Sequence, residues 1–166
     1  MSFCKGFLAI VPDHPKILIL GTVPSVVSLD KGFYYAHPRN AFWPIIESFV
    51  GHSLPTIQAK KTACEQLGIY LWDVLQGCQR QGSLDSAIQS PVANDFETLF
   101  EQYPQLNTIA FNGKAAEKLF KKEVLNKQEL PKNLLLISLP STSPAYAAIT
   151  LEDKRLLWQE KLSCVA

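Results

Sequence analysis

Cysteine is scarce and unpaired in this chain: Cys4, Cys64, Cys78 and Cys164 stand alone. No Cys-x-x-Cys pair occurs, so the spacing offers nothing to zinc or an iron–sulfur cluster, and the expectation is reduced, partly buried thiols. The three histidines, His14, His37 and His52, are scattered without metal-ligand spacing. Gly-x-Ser-x-Gly, Gly-x-x-x-x-Gly-Lys-Ser/Thr and Gly-x-Gly-x-x-Gly are all missing, which removes the hydrolase elbow, the phosphate loop and the dinucleotide fingerprint. Charge of one sign is missing too. Sixteen Lys+Arg against 15 Asp+Glu leave a net +1, so attraction to nucleic acid would have to rest on local features. No apolar run approaches the ~18 residues of a membrane span. The run from Phe7 to Val11 is broken by Pro12 and is too short for a secretory signal. The expectation is a cytoplasmic protein with no membrane partner, no metal and no cofactor.

What is present is a core. Apolar residues make up 47% of 166 and charged residues 19%, which excludes a disordered polyelectrolyte and fits a single domain over residues 1–166. Lys16–Leu20 is a continuous aliphatic run closed by Gly21, the pattern of a strand buried on both faces. Ile69–Leu75, Thr108–Phe111 and Leu134–Leu139 repeat it. Helical spacing fills the intervals: Phe42–Val50 before Gly51, Ile57–Leu67 before Gly68, a helix capped by Asn94 and closed by Pro104, and Lys114–Leu125. A last helix capped at Thr150 can turn Leu151, Leu156, Leu157 and Leu162 to the core. Cys78–Ala93 and Leu125–Asn133 read as irregular. Four buried strands alternating with helices predict an α/β protein, a three-layer α/β/α sandwich on a four-stranded parallel sheet.

The least ordinary residues follow the strands. Gly21-Thr22-Val23-Pro24-Ser25, Trp72-Asp73-Val74, Asn112-Gly113-Lys114 and Pro140-Ser141-Thr142-Ser143-Pro144-Ala145 all lie at or beyond predicted strand ends, where open parallel sheets bind ligands. Good turn-formers would look the same in any one loop, but four at one edge read as a site. A fifth segment, Phe33 to Pro44, packs five aromatic carbocycles around His37-Pro38-Arg39-Asn40 and should line a cavity or stack on something planar. Asn40 stands where a helix cap is expected. It either only caps, or its amide positions a water or a substrate atom.

Taken together, Gly-Thr-Val-Pro-Ser, Tyr-Tyr-Ala-His-Pro-Arg-Asn-Ala-Phe-Trp, Leu-Trp-Asp-Val-Leu, Phe-Asn-Gly-Lys-Ala and Leu-Pro-Ser-Thr-Ser-Pro-Ala resemble the uracil-DNA glycosylase superfamily, nearest its hypoxanthine-DNA glycosylase branch, from about Phe7 to Lys161. The resemblance implies a monofunctional, metal-independent glycosylase that flips a deaminated base (hypoxanthine, uracil or xanthine) from double- or single-stranded DNA and hydrolyses its bond to deoxyribose in base excision repair. It implies a monomer working at the nucleoid. By position, Gly21, Thr22, Val23, Pro24 and Ser25 would embrace the flipped nucleotide, Tyr35 would stack on the base with His37 nearby, and Ser141, Thr142, Ser143, Pro144 and Ala145 would press into the duplex. Most branches carry a water-activating Asp or Asn where this chain has Val23. The hypoxanthine branch lacks it as well, and the resemblance moves the catalytic amides to Asn40 and Asn112. Two other classes remain: a catalytically silent nucleic-acid- or nucleotide-binding module, and a small-molecule hydrolase on the same kind of sheet.

Overall fold

A computed structural model describes residues 3–163; Cys164 lies outside the described residues. The chain runs β1 (Phe3–Lys5), β2 (Ile17–Gly21), α1 (Val26–Lys31), α2 (Phe42–Val50), α3 (Ile57–Leu67), β3 (Ile69–Asp73), β4 (Leu75–Gln79), β5 (Gln89–Ala93), α4 (Phe96–Gln102), β6 (Thr108–Asn112), α5 (Lys114–Phe120), β7 (Leu135–Leu139) and α6 (Leu151–Leu162). Strands β3-β2-β6-β7 form a parallel sheet in that order. The aliphatic run of β2 explains its central place, because every residue in it is buried. Ile17 and Ile19 pack into one layer with Phe42, Ile46, Cys64 and Trp158 of α2, α3 and α6. Leu18 and Leu20 point the other way, among Phe96, Leu99, Ala116 and Phe120 of α4 and α5. This is the predicted three-layer α/β/α arrangement. The glycines after α2 and α3 end those helices in the left-handed region, with φ +81° at Gly51 and +70° at Gly68.

Several local expectations were not met, each for a physical reason. The apolar run Ile69–Leu75 is two strands. It breaks at Val74, whose N–H donates to Gly21 O at 2.8 Å as the chain leaves the parallel sheet. Cys78–Ala93 is not irregular throughout. β1, β4 and β5 form a second, antiparallel sheet, packed through Cys4, Leu75 and Cys78 against the α4/α5 layer. Gly77 and Pro91 hide these strands from a propensity reading, and Pro91 is tolerated because β5 is an edge. Helix α1, six residues long, was also unforeseen.

The cap of α4 is Asp95, which accepts from Thr98 N, while the Asn94 amide donates to Asp73 O at 2.8 Å. In α6 the inward face is Lys154, Trp158 and Leu162, and Leu151 and Leu156 are exposed. An apolar-only criterion fails there because Lys154 is buried with its ammonium satisfied by main-chain carbonyls. The Lys114–Leu125 helix exists but widens into a π-type turn over Lys121–Leu125.

Candidate active site

The sheet order places the crossover reversal between β2 and β6, and in such sheets the ligand crevice lies beyond the carboxyl ends of those strands. A cavity of about 100 Å³ sits there. It is lined by Gly21, Thr22, Val23, Pro24 and Ser25 after β2, Tyr35 and Asn40 from the aromatic loop, Asn112 at the end of β6, and Ser141, Thr142 and Ser143 after β7. The sequence-predicted residues thus meet, with three exceptions. His37 does not line the cavity; its Nδ1 accepts Arg39 N at 3.0 Å and its carbonyl accepts Asn40 N at 2.9 Å, which shapes the turn. Pro144 lies further along its loop, and Ala145 lines an adjoining cavity of about 570 Å³.

The two amides are held differently. Asn40 Oδ1 accepts Phe42 N at 2.9 Å as the chain enters α2 through Ala41. That bond fixes the side chain and leaves a second lone pair and the whole amino group for other partners. Asn112 is buried and grips Thr142 at two points: Nδ2 donates to Oγ1 at 2.9 Å, and Oδ1 accepts the main-chain N–H at 2.9 Å. Thr142 O in turn accepts Ala41 N at 2.9 Å. One residue therefore ties the ends of β6 and β7 to the start of α2. Gly113 makes the approach possible, since a Cβ there would stand 2.9 Å from that of Ser141 and its φ is +96°.

Tyr35 is the one non-glycine in this site with left-handed backbone, at φ +52°, a conformation that costs energy and persists only when the surroundings enforce it. Its ring stacks on Phe42 at 4.3 Å and 27°. Its hydroxyl is buried beside the Asn112 amide, and burial, with the neighbouring Asp73 charge, pushes its pKa up while Asn112 opposes the rise. Val23 is 7% exposed and packs into the core beside Leu18 and Leu20. Ser25 caps α1 through Ser28 N.

Sequence reasoning missed a carboxylate. Asp73 pairs with Gly21 in the sheet register and lines the cavity, with Oδ2 buried and unpartnered. Burial pushes its pKa up to about 7; Asp85 adds to the rise and Arg80 opposes it. Gly21 is required by close approach: a Cβ there would lie 2.7 Å from Asp73 Oδ1 and 2.8 Å from the Tyr35 hydroxyl. Trp72-Asp73-Val74 is among the least ordinary segments at the strand ends, and that is the available signal.

The second set of missed residues gave none. Arg80, 2% exposed, donates from Nη2 to Pro24 O at 2.5 Å; Ser83 Oγ accepts Val26 N at 2.9 Å; Asp85 Oδ1 accepts from Thr22 Oγ1 at 2.7 Å. These three clamp the loop after β2 from a segment about sixty positions away. Among the described residues no group of three or more His, Cys, Asp or Glu could hold a metal ion.

An α/β/α domain with a polar cleft at the reversal point, lined by an aromatic ring, two amides and a carboxylate, has the layout of the ligand-binding α/β proteins. The chain belongs to the uracil DNA glycosylase superfamily, whose family model matches residues 8–161. Membership makes it a DNA glycosylase, with DNA as substrate. It is similar to two proteins named hypoxanthine DNA glycosylase. One, from Methanosarcina barkeri, is 38% identical over 66% of this chain and 71% of its own; the other, from Methanosarcina acetivorans, is 39% identical over 68% and 72%. The solution NMR structure of a candidate uracil DNA glycosylase from Methanosarcina acetivorans superposes with a TM-score of 0.77 at 30% identity, covering 96% of this chain and 98% of that one. Among the described residues no helix is long and apolar enough to cross a membrane.

Proposed function

We propose that this glycosylase removes hypoxanthine from deoxyinosine in DNA, with uracil and xanthine as secondary substrates, by hydrolysis without metal and without strand cleavage. The observation that carries this is the convergence of Asn40, Asn112, Tyr35 and Asp73 on one cavity beside a Val23 turned into the core. A purine is out of reach inside a duplex, so the nucleotide must be extruded, which costs least for a mismatched or damaged pair. The extruded ring stacks on Tyr35. Cleavage passes through an oxocarbenium-like sugar while negative charge gathers on the departing base. Fixed amide donors stabilise that charge by about 3–4 kcal/mol per good donor in a water-poor site. Asn40, anchored by Phe42 N, orients the attacking water; Asn112, with one amino hydrogen beyond its bond to Thr142, meets the base. Asp73 in its ionised form accepts the N1–H of hypoxanthine, a donor that adenine lacks. The relatives named hypoxanthine DNA glycosylase support the choice of base.

A duplex with one deoxyinosine, and a second with deoxyuridine, incubated with EDTA and then treated with alkali, tests the assignment. Strand breaks appear after alkali only, faster for deoxyinosine. Retention of the duplex without breaks would identify a silent binding module. Breaks that need added divalent metal would overturn the metal-independent chemistry.

A further inference from the structure

Two of the thiols that lie far apart in the sequence meet in the second sheet. β1 and β4 are antiparallel, and their register sets Cys4 directly opposite Cys78. Directly opposed residues share one face of a sheet, and here that face is the core: Cys4 is 6% exposed and Cys78 0%. Both are free thiols. Burial pushes the Cys78 pKa up; the Cys4 thiol beside it adds to the rise, through charge and a hydrogen bond between the two, and Arg80 opposes it. Cys64, by contrast, lies in α3, in the layer on the other face of the parallel sheet.

The ladder fixes how far apart the pair stands. Gly6 carries the register one step past β1, and its N–H donates to Gln76 O at 2.7 Å. Hydrogen-bonded pairs recur at every second position of an antiparallel ladder, so Cys4 and Cys78 form one as well. Such pairs hold their Cα atoms about 5.5 Å apart, inside the roughly 4.4–6.8 Å that a disulfide bridges. Their β-carbons would draw in from about 4.5–5.5 Å to about 3.8 Å, and a bond made under that constraint is more readily reduced. β1 is three residues long and lies at the edge of its sheet, so its opening is a local event that bares both thiols.

We propose that Cys4 and Cys78 are a site of reversible oxidation, closed by a peroxide to a disulfide that fastens β1 to β4 and reopened by excess thiol. Opening of β1 exposes Cys4, whose thiolate attacks one peroxide oxygen. The O–O bond breaks, leaving a sulfenic acid on Cys4 and, once the departing hydroxide is protonated, one water. As β1 redocks, the Cys78 sulfur attacks the Cys4 sulfur; the sulfenic oxygen takes the Cys78 proton and leaves as a second water. Each sulfur has then lost one electron, and the peroxide has gained both. The link secures the strand that leads to the cleft, because β4 ends at Gln79 and Arg80 beside it holds Pro24 O. The site stands whatever base the cleft accepts.

Reduced wild-type protein, freed of added thiol, is exposed to hydrogen peroxide, alkylated and digested without reduction, and linked peptides are identified by mass. The expected product is a Cys4–Cys78 peptide pair, lighter than the two free peptides by two hydrogens. It should vanish after dithiothreitol and be missing from Cys4→Ala. In the intact oxidised protein, hydrogen exchange of the Gly6 amide, bonded to Gln76 O, should slow by about tenfold or more, because the link suppresses the opening of β1. Sulfinic or sulfonic acid at Cys4 without a crosslink, a link to Cys64 or Cys164 instead, or no reaction would overturn the proposal. So would a Cys4–Cys78 link that survives dithiothreitol, or one that leaves Gly6 exchange unchanged. The wild-type digest and exchange decide the matter even if Cys4→Ala does not fold.

Discussion

Replacing Asp73 by asparagine should make the protein more stable and at the same time remove the pH dependence of its cleavage. The carboxyl is buried, one of its oxygens has no partner, and its pKa is pushed from an ordinary 3.8 to about 7. A raised folded-state value means that ionisation opposes folding. The penalty begins as pH passes the unfolded value near 3.8 and is complete once pH exceeds about 7. Its full size is about 4 kcal/mol at pH 8, and about 2 kcal/mol at pH 5, where the unfolded chain is already ionised and the folded one is not. An amide of the same shape carries no such penalty. Asp73→Asn should therefore gain up to about 4 kcal/mol over wild type in urea unfolding at pH 8, and about 2 kcal/mol less than that at pH 5. Wild-type cleavage of deoxyinosine should rise through pH about 7 as the carboxylate acceptor forms, and the variant should lack that inflection. A stability gain equal at the two pH values would refute the electrostatic reasoning. A variant that kept the wild-type inflection would show that another group titrates.

Asn40→Ala should slow single-turnover cleavage by about two to three orders of magnitude, the usual loss of a preorganised polar group; the helix cap is Ala41 and not Asn40, and Asn40→Ser, whose hydroxyl can still accept the Phe42 N–H ahead of α2, should recover stability in thermal melts but not rate. Tyr35→Ala should weaken productive binding by about 1–3 kcal/mol through loss of a stacking face, whereas Tyr35→Phe should match wild type, since stacking uses the ring face and not the hydroxyl. A Phe variant as damaged as the Ala variant would assign the work to the hydroxyl. Gly21→Ala should lower both melting temperature and cleavage, because its methyl would meet Asp73 and Tyr35 below 3.0 Å; an active, stable variant would mean that the two side chains move aside freely. Binding to undamaged duplex should weaken steeply with salt, and a flat response in a titration would argue against phosphate contact.

The central sheet was legible because β2 ends on a glycine and β6 is followed by one, each after an apolar run, and α2 and α3 each end on a glycine stop. Legibility failed where tertiary contacts override local pattern. Gln89–Ala93 carries a proline and no alternation, yet it pairs because β4 lies beside it. Lys154 occupies a core position of the last helix that an apolar criterion passes over, its charge absorbed by two carbonyls that no spacing rule connects to it. At the site, the convergence of Gly21–Ser25, Asn112 and Ser141–Ser143 followed from one rule about strand ends, whereas Asn40 came from the aromatic segment. His37 stood inside the most specific motif and still fell outside the cavity, because motif membership does not say whether a side chain shapes a turn or faces a ligand. Asp73 was visible only as part of an unusual strand-end segment and not as a buried group with an unpartnered oxygen; that property exists only in three dimensions.

The clamp formed by Arg80, Ser83 and Asp85 on the loop after β2 bears on how the chain can be re-engineered. Surface connections generally accept added residues, and the stretch between β4 and β5, mostly exposed and rich in turns, looks like a natural place for a tag or a split point. Here any lengthening between positions 80 and 85 would shift three anchors out of register with Pro24, Val26 and Thr22 at once. In the connection from Asn126 to Asn133, Gln128 holds Asn94 and the start of α4, so the better graft point lies after it, toward Asn133: cargo attached there leaves the pocket wall where it was, whereas the same cargo beside Ser83 dismantles it.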